Sequence, residues 1–287
     1  MLKLNKNANT NILIIGLGLL GGSYAKALKK KGYHVEAITL EQSSIDYALE
    51  HGIIDYGTTA VDPEVLQRAE LIVFALYPKV LLEWIQANQH LLRPGTILTD
   101  VTGVKGAIVG KVQEMLREDV EFIAAHPMAG REVYGVENSD DRIFEGANYI
   151  VVPTERNTEP AIALCEELGR ELGFRSVSRL SPEEHDEMIA YLSQLTHCIA
   201  VTLMCCHDKK SLEAYTGDSF RDLTRIAKIN DAMWSELFMM NKPALLEQMD
   251  IFMDKFQQLR NCLVTENVDE MREMMRISTK RRVWFDK

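Results

Sequence analysis

A short apolar run, Asn11–Ile15, leads directly into Gly16-Leu17-Gly18-Leu19-Leu20-Gly21, which opens a helical stretch over residues 19–31 stopped by Gly32. Few local patterns restrict a fold so strongly. Glycines at GxGxxG spacing between a strand and a helix permit a tight turn, close backbone approach to a ligand and close helix–strand packing. The helix N-terminus so created suits a pyrophosphate, because its N–H groups and its dipole both favour negative charge. Alone, the pattern also fits a bare tight turn; the strand–turn–helix context is what favours dinucleotide binding. Gly16, Leu17, Gly18, Leu19, Leu20 and Gly21 are therefore candidate cofactor contacts.

The alternation continues downstream. Residues 35–39 read as a second strand and 45–51 as a helix ended by Gly52. Residues 71–76 form a continuous apolar run, as in a strand buried on both faces. Ile97–Asp100, residues 122–125 and Asn148–Val152 read as further strands, followed by a helix over 160–172 and a short strand over 174–178. This order implies an α/β, Rossmann-type parallel sheet wrapped by helices. The pattern then changes. Ser181-Pro182-Glu183-Glu184 combines a capping box with proline at the first helical position. From there to Lys287 the sequence reads as amphipathic helices, one starting at Asn241-Lys242-Pro243 and another capped by Asn267. The expected division is a dinucleotide-binding domain over 1–179 and an all-α domain over 180–287, within the length two domains need.

The net charge of −10 argues against nucleic acid and anionic membrane surfaces as partners. The basic cluster Lys280-Arg281-Arg282 reads as a solvated helix end, where cations suit the dipole. The five cysteines show no CxxC pair and no zinc-like spacing, and their odd number suits a reducing compartment. No run approaches the roughly 18 uninterrupted apolar residues of a membrane span. Residues 1–10 are polar, unlike a secretory signal. A soluble cytoplasmic protein without metal is expected.

Chemistry is expected beyond the carboxyl ends of the strands. After the second strand, Thr39 stands where an acid usually grips the adenosine ribose, with Glu41 two residues on and no adjacent cation for a 2′-phosphate. This leans towards NAD over NADP. Asp100-Val101-Thr102-Gly103-Val104-Lys105 is a polar cluster after a buried strand, placing Asp100 near a cofactor. His126 begins His-Pro-Met-Ala-Gly-Arg-Glu at the end of another strand, suited to take a proton while hydride leaves; a turn histidine is the bland alternative. Asp186, Ala190, Ser193 and His197 share a helical face, as a cleft lining or an interhelical polar seam. Asp222 and Arg225, three apart, fit a surface ion pair, although the arginine fork also suits a carboxylate.

Together, GLGLLGGS at 16–23, the 100–105 cluster, HPMAGRE at 126–132, His185-Asp186 with Ser193 and His197, and FRDLTRIA at 220–227 with Trp234 resemble the prephenate/arogenate dehydrogenase family. The resemblance runs from Asn11 to about Trp284. It implies a Rossmann domain followed by a helical domain through which two chains form a homodimer. His126 matches the catalytic histidine, Arg225 the arginine for a substrate carboxylate, His197 a second pocket histidine and Glu132 a gating acid. Ser193, Asp222 and Trp234 match further positions of the substrate pocket. Activity is expected to rise with pH through the histidine pKa. The chain departs from the family pattern in three places. Gly103 replaces the serine that usually supports the catalytic histidine, leaving Thr102 to supply a hydroxyl. Thr196 replaces a common proline, and Arg131 replaces a small residue. No fused mutase domain is expected before Asn11 and no regulatory domain after Trp284, so feedback by tyrosine would act at the active site. Since some arogenate-specific relatives lack the histidine at 197, the resemblance leans towards prephenate over arogenate. The rivals are a hydroxyacid dehydrogenase or imine reductase of similar architecture, and a cofactor-binding sensor without turnover.

Overall fold

The computed structural model describes Leu4 and residues 10–286, so the polar stretch at 1–10 lies, Leu4 and Thr10 apart, outside the described residues. Its centre is a six-stranded parallel sheet in the order β3-β2-β1-β4-β5-β6. The strands are β1 (Asn11–Ile15), β2 (His34–Ile38), β3 (Tyr56–Thr58), β4 (Leu71–Phe74), β5 (Ile97–Asp100) and β6 (Glu121–Phe122). Both faces are covered, so β1 and β4 are apolar without alternation. Ile12 and Ile14 enter one core with α1 (Leu19–Lys30) and α6 (Glu159–Glu171), and α2 (Gln42–Glu50) adds Ile45. Leu13 and Ile15 enter the other, with α3 (Pro63–Arg68), α4 (Pro78–Asn88) and α5 (Val109–Met115). Each such buried side chain contributes about 1.5–3 kcal/mol, so β1 is a keystone for both layers. The sequence reading missed β3 and α3, although Asp62 caps α3 by accepting from the Glu64 N–H at 2.9 Å and Pro63 occupies its first position.

The strand expected at 122–125 is two strands. β6 pairs with β5, and the chain then leaves the sheet as β7 (Ala124–Pro127). β7 pairs antiparallel with β8 (Asn148–Val152), and β8 pairs parallel with β9 (Ser176–Arg179). The Ala125 N–H, which would otherwise continue the ladder to β5, donates to the Asp100 carboxylate at 3.1 Å. His126 thus lies within a strand of this second sheet, opposite Ile150, rather than beyond a strand of the first.

The remainder is helical: α7 (Pro182–Ile189), α8 (Leu195–Cys205), α9 (Asp218–Thr224), α10 (Asp231–Met240), α11 (Lys242–Val264) and α12 (Val268–Arg282). Ser181 and Glu184 complete the expected capping box on α7. Asn267 caps α12 through the Glu270 N–H. Asn241 does not cap α11; its amide donates to the Asp186 carbonyl at 2.8 Å and to Gln194 at 2.9 Å, tying α11 to α7. Between α7 and α8, Ala190–Gln194 is a π-helical turn. The continuous run Pro182–Cys205 contains an 18-residue window of mean hydropathy 1.5, long and apolar enough by length and composition alone to cross a membrane. Its polar residues Asp186 and His185 are, however, bonded to the Rossmann portion.

Candidate active site

The glycine loop fits a dinucleotide on its own geometry. Gly16 has φ +95°, and a Cβ there would strike the Ala75 carbonyl at the end of β4. A Cβ on Gly21 would strike the Gly16 carbonyl, so these two glycines hold helix and strand together. Gly18 differs: a Cβ would meet nothing within 4 Å, and the residue starts α1 without a side-chain cap. The first-turn N–H groups of α1 have no intrahelical acceptors and lie behind an open glycine, the cradle a pyrophosphate requires. Leu17 is buried, whereas Leu19 and Leu20 are half-buried at the helix start. Thr39 spends its hydroxyl on the loop, accepting from the Leu17 N–H at 3.4 Å. Glu41 is exposed just beyond β2, where its carboxylate accepts from Ser44 at 3.3 Å.

Asp100 takes a different place from the one expected. It is fully buried, and its carboxylate meets the Lys105 ammonium at 2.6 Å, the Thr102 N–H at 3.0 Å and the Ala125 N–H at 3.1 Å. Lys105, equally buried, also donates to the Ala125 carbonyl at 2.6 Å and to the Thr102 hydroxyl at 3.1 Å. Burial lowers the Lys105 pKa, and Asp100 pulls it back up. This pair is scaffold: it holds both polar groups of Ala125, the residue before His126. The Thr102 hydroxyl is engaged with Asp100 and the Val104 carbonyl and so does not support His126. A Cβ on Gly103 would sit 3.9 Å from His126 Cε1, so the position beside the imidazole carries no side chain.

The partner of His126 comes from the helical portion. His126 Nδ1 lies 2.8 Å from His185 Nε2, and His185 Nδ1 lies 2.8 Å from Asp186 Oδ1. Asp186 in turn accepts from the N–H groups of Lys105 and Gly106, each at 2.8 Å. The sequence reading set Asp186 on a cleft face and His185 in the family pattern without giving either a role. An adjacent His-Asp on the second turn of a well-capped helix was the signal available. Burial pushes His126 well below the usual histidine value, reinforced by His185 and Lys105. Burial also lowers His185, against the pull of Asp186.

The substrate side is built from α8, α9 and α10. His197 Nδ1 donates to the Ser193 carbonyl at 2.9 Å, and its ring stacks on Trp234 with centroids 3.7 Å apart. Ser193 acts here through its carbonyl. Burial lowers the His197 pKa, with the Ser193 carbonyl opposing. Arg225 pairs with Glu132 at 2.8 Å, across 93 residues, instead of with Asp222, which is exposed on α9. Leu237, one turn beyond Trp234 on α10, packs against Gly103, at 3.6 Å from a Cβ built there, and so links this cluster to His126. Glu236 accepts from the Lys79 N–H at 2.8 Å and Asn230 donates to Tyr77 at 3.2 Å, seating α10 on the start of α4.

Comparison with known proteins agrees with this arrangement. The nucleotide-binding domain of prephenate dehydrogenase matches residues 24–178, and the dimerization domain of prephenate dehydrogenase matches residues 181–277. A prephenate dehydrogenase of Bacillus subtilis is 28% identical over 91% of this chain and 72% of its own. A cyclohexadienyl dehydrogenase of Zymomonas mobilis is 28% identical over 95% of each chain. The crystal structure of prephenate dehydrogenase from A. aeolicus, in complex with hydroxyphenyl propionate and NAD+, superposes with TM-score 0.88 at 29% identity, covering 96% of this chain and 98% of that one. With a Rossmann-like domain joined to a helical one and matched to family domains over most of its length, the chain belongs to the prephenate dehydrogenase family and is an NAD(P)-dependent oxidoreductase.

Proposed function

We propose that the enzyme oxidatively decarboxylates prephenate to 4-hydroxyphenylpyruvate, with His126 as the base. The observation that carries this reading is His126 itself: a half-buried imidazole, kept neutral by its surroundings and anchored through Nδ1. A dinucleotide held by its pyrophosphate at Gly16–Gly21 would supply, in its nicotinamide, the acceptor for a hydride from ring C4. His126 takes the proton of the C4 hydroxyl through its Nε2, and the ring becomes aromatic as the C1 carboxylate leaves as carbon dioxide. Aromatisation provides the driving force, so the residues mainly align the reacting groups. Arg225 exchanges its bond with Glu132 for a substrate carboxylate, and His197, fixed by Ser193 and Trp234, lines the same pocket.

The names of the B. subtilis and A. aeolicus relatives support prephenate as substrate. Retention of His197 favours it over arogenate, whose side chain carries an ammonium in place of the keto group. Exposed Glu41 beyond β2 would repel a 2′-phosphate and favours NAD over NADP. Phe252, Phe256, Leu263 and Trp284 are 37–72% exposed apolar residues on and after the long helices, and patches of this kind mark interfaces. With the match to a dimerization domain, they support a homodimer formed through the helical portion. Five free cysteines suit a cytoplasmic location. The test is His126→Asn: kcat should fall by roughly 10²–10⁴-fold with NAD affinity unchanged. A kcat within about tenfold of the native enzyme would remove the proposed role.

A further inference from the structure

We infer that His185 and Asp186 form a positioning pair that fixes the tautomer of His126 and takes up part of the charge it acquires. This rests on the reading of His126 as the base. Asp186 accepts N–H bonds from Lys105 and Gly106 on both its oxygens, which holds the carboxylate in one orientation. A carboxylate only accepts, so the 2.8 Å contact from His185 Nδ1 must carry the proton on that nitrogen. A neutral His185 then presents a bare Nε2. The 2.8 Å contact with His126 is therefore made by a proton on His126 Nδ1. His126 Nε2 is left as a lone pair, the form a base needs. One carboxylate thus sets two imidazoles in series, as in other base–orienter arrangements.

The pair also answers the charge that develops. When His126 Nε2 gains a proton, the Nδ1–H becomes a stronger donor to His185, and the positive charge is drawn towards Asp186. The groups facing His126 are His185 and, through it, Asp186 on α7, and Lys105 with its partner Asp100 from the β5 segment. The Lys105 ammonium opposes a second positive charge, whereas Asp186 favours it. The device spans the two portions of the chain: the base stands on β7 and its orienting pair on α7. It exists only when they are docked.

Asp186→Asn tests the pair. One amide atom becomes a donor, and where it faces His185 Nδ1 it reverses both tautomers and places the His126 proton on Nε2. We expect kcat to fall by roughly 10²–10⁴-fold, in line with tautomer loss elsewhere, with KM and NAD affinity near native. The direct readout is the nitrogen chemical shifts of the His126 imidazole at neutral pH. The native protein should show a protonated Nδ1 and an unprotonated Nε2, and the variant the reverse. His185→Gln, which leaves Asp186 on its backbone donors, should lower kcat and broaden the tautomer mixture; it serves if Asp186→Asn fails to fold. A native His126 protonated on Nε2, or native kcat and native shifts in both variants, overturns the inference. The shifts need no turnover, so native shifts as expected in a protein inactive towards prephenate would refute the substrate reading alone.

Discussion

Lys105→Met isolates the buried scaffold beneath His126. Lys105 and Asp100 are both fully buried and 2.6 Å apart, and the ammonium also serves Thr102 and Ala125. Removing one partner of such a pair costs about 3–5 kcal/mol, because the other charge is left unpaired. Here Asp100 keeps the Thr102 and Ala125 N–H groups and methionine fills most of the vacated volume, so about 3 kcal/mol is expected. At about 2–4 °C per kcal/mol for a chain somewhat shorter than this one, the thermal midpoint should drop by about 6–12 °C. Circular dichroism at fixed protein concentration measures it, since association shifts the midpoint of an oligomer. Adding Asp100→Asn should recover part of the loss, because removing both charges is milder than removing one. A drop below about 2 °C, or no recovery in the double variant, would refute the reasoning.

Three further outcomes follow from the site. Gly18→Ala should keep its midpoint while weakening NAD binding, because a Cβ there meets no protein atom and enters the space left for the pyrophosphate; calorimetric titration and a thermal scan check both halves. Arg225→Ala should raise KM about 10- to 100-fold, the worth of a charged hydrogen bond, yet change stability by under about 1 kcal/mol, since its pair with Glu132 is exposed. His126, His185 and His197 all bind protons less readily folded than at the ordinary value of 6.5. The unfolded chain therefore holds more protons below about pH 6.5, and stability should be full above that value and lost as pH falls towards the folded values. The rising limb of kcat/KM should likewise lie below pH 6.5 rather than around it, as a pH series on both quantities would show.

Local signals were enough for the elements whose cause is local. β1, the glycine turn, α1 and the capping box on α7 each carry their reason within a few residues. The break between β6 and β7 had no such mark, since 122–125 is a continuous apolar run and the switch is set by Asp100, more than twenty residues away. The same distance problem hid the partner of Arg225: spacing favoured Asp222, while the fold supplies Glu132. The π-helical turn shifts the register between Asp186 and His197, so a regular helix mis-assigns what each faces. Asp186 turns to the backbone after β5, and His197 to Trp234. Thr102 offers a hydroxyl in sequence beside the strand end, but in the fold that hydroxyl is used by Asp100, and the imidazole finds its partner on α7 instead.

Cofactor reduction by the purified protein, offered prephenate and arogenate with NAD and with NADP in all four combinations, tests the assignment of substrate and cofactor. Turnover is expected with prephenate and NAD, at a higher kcat/KM than with any other combination. Absence of turnover with every combination, from folded protein that still binds NAD, would contradict that assignment.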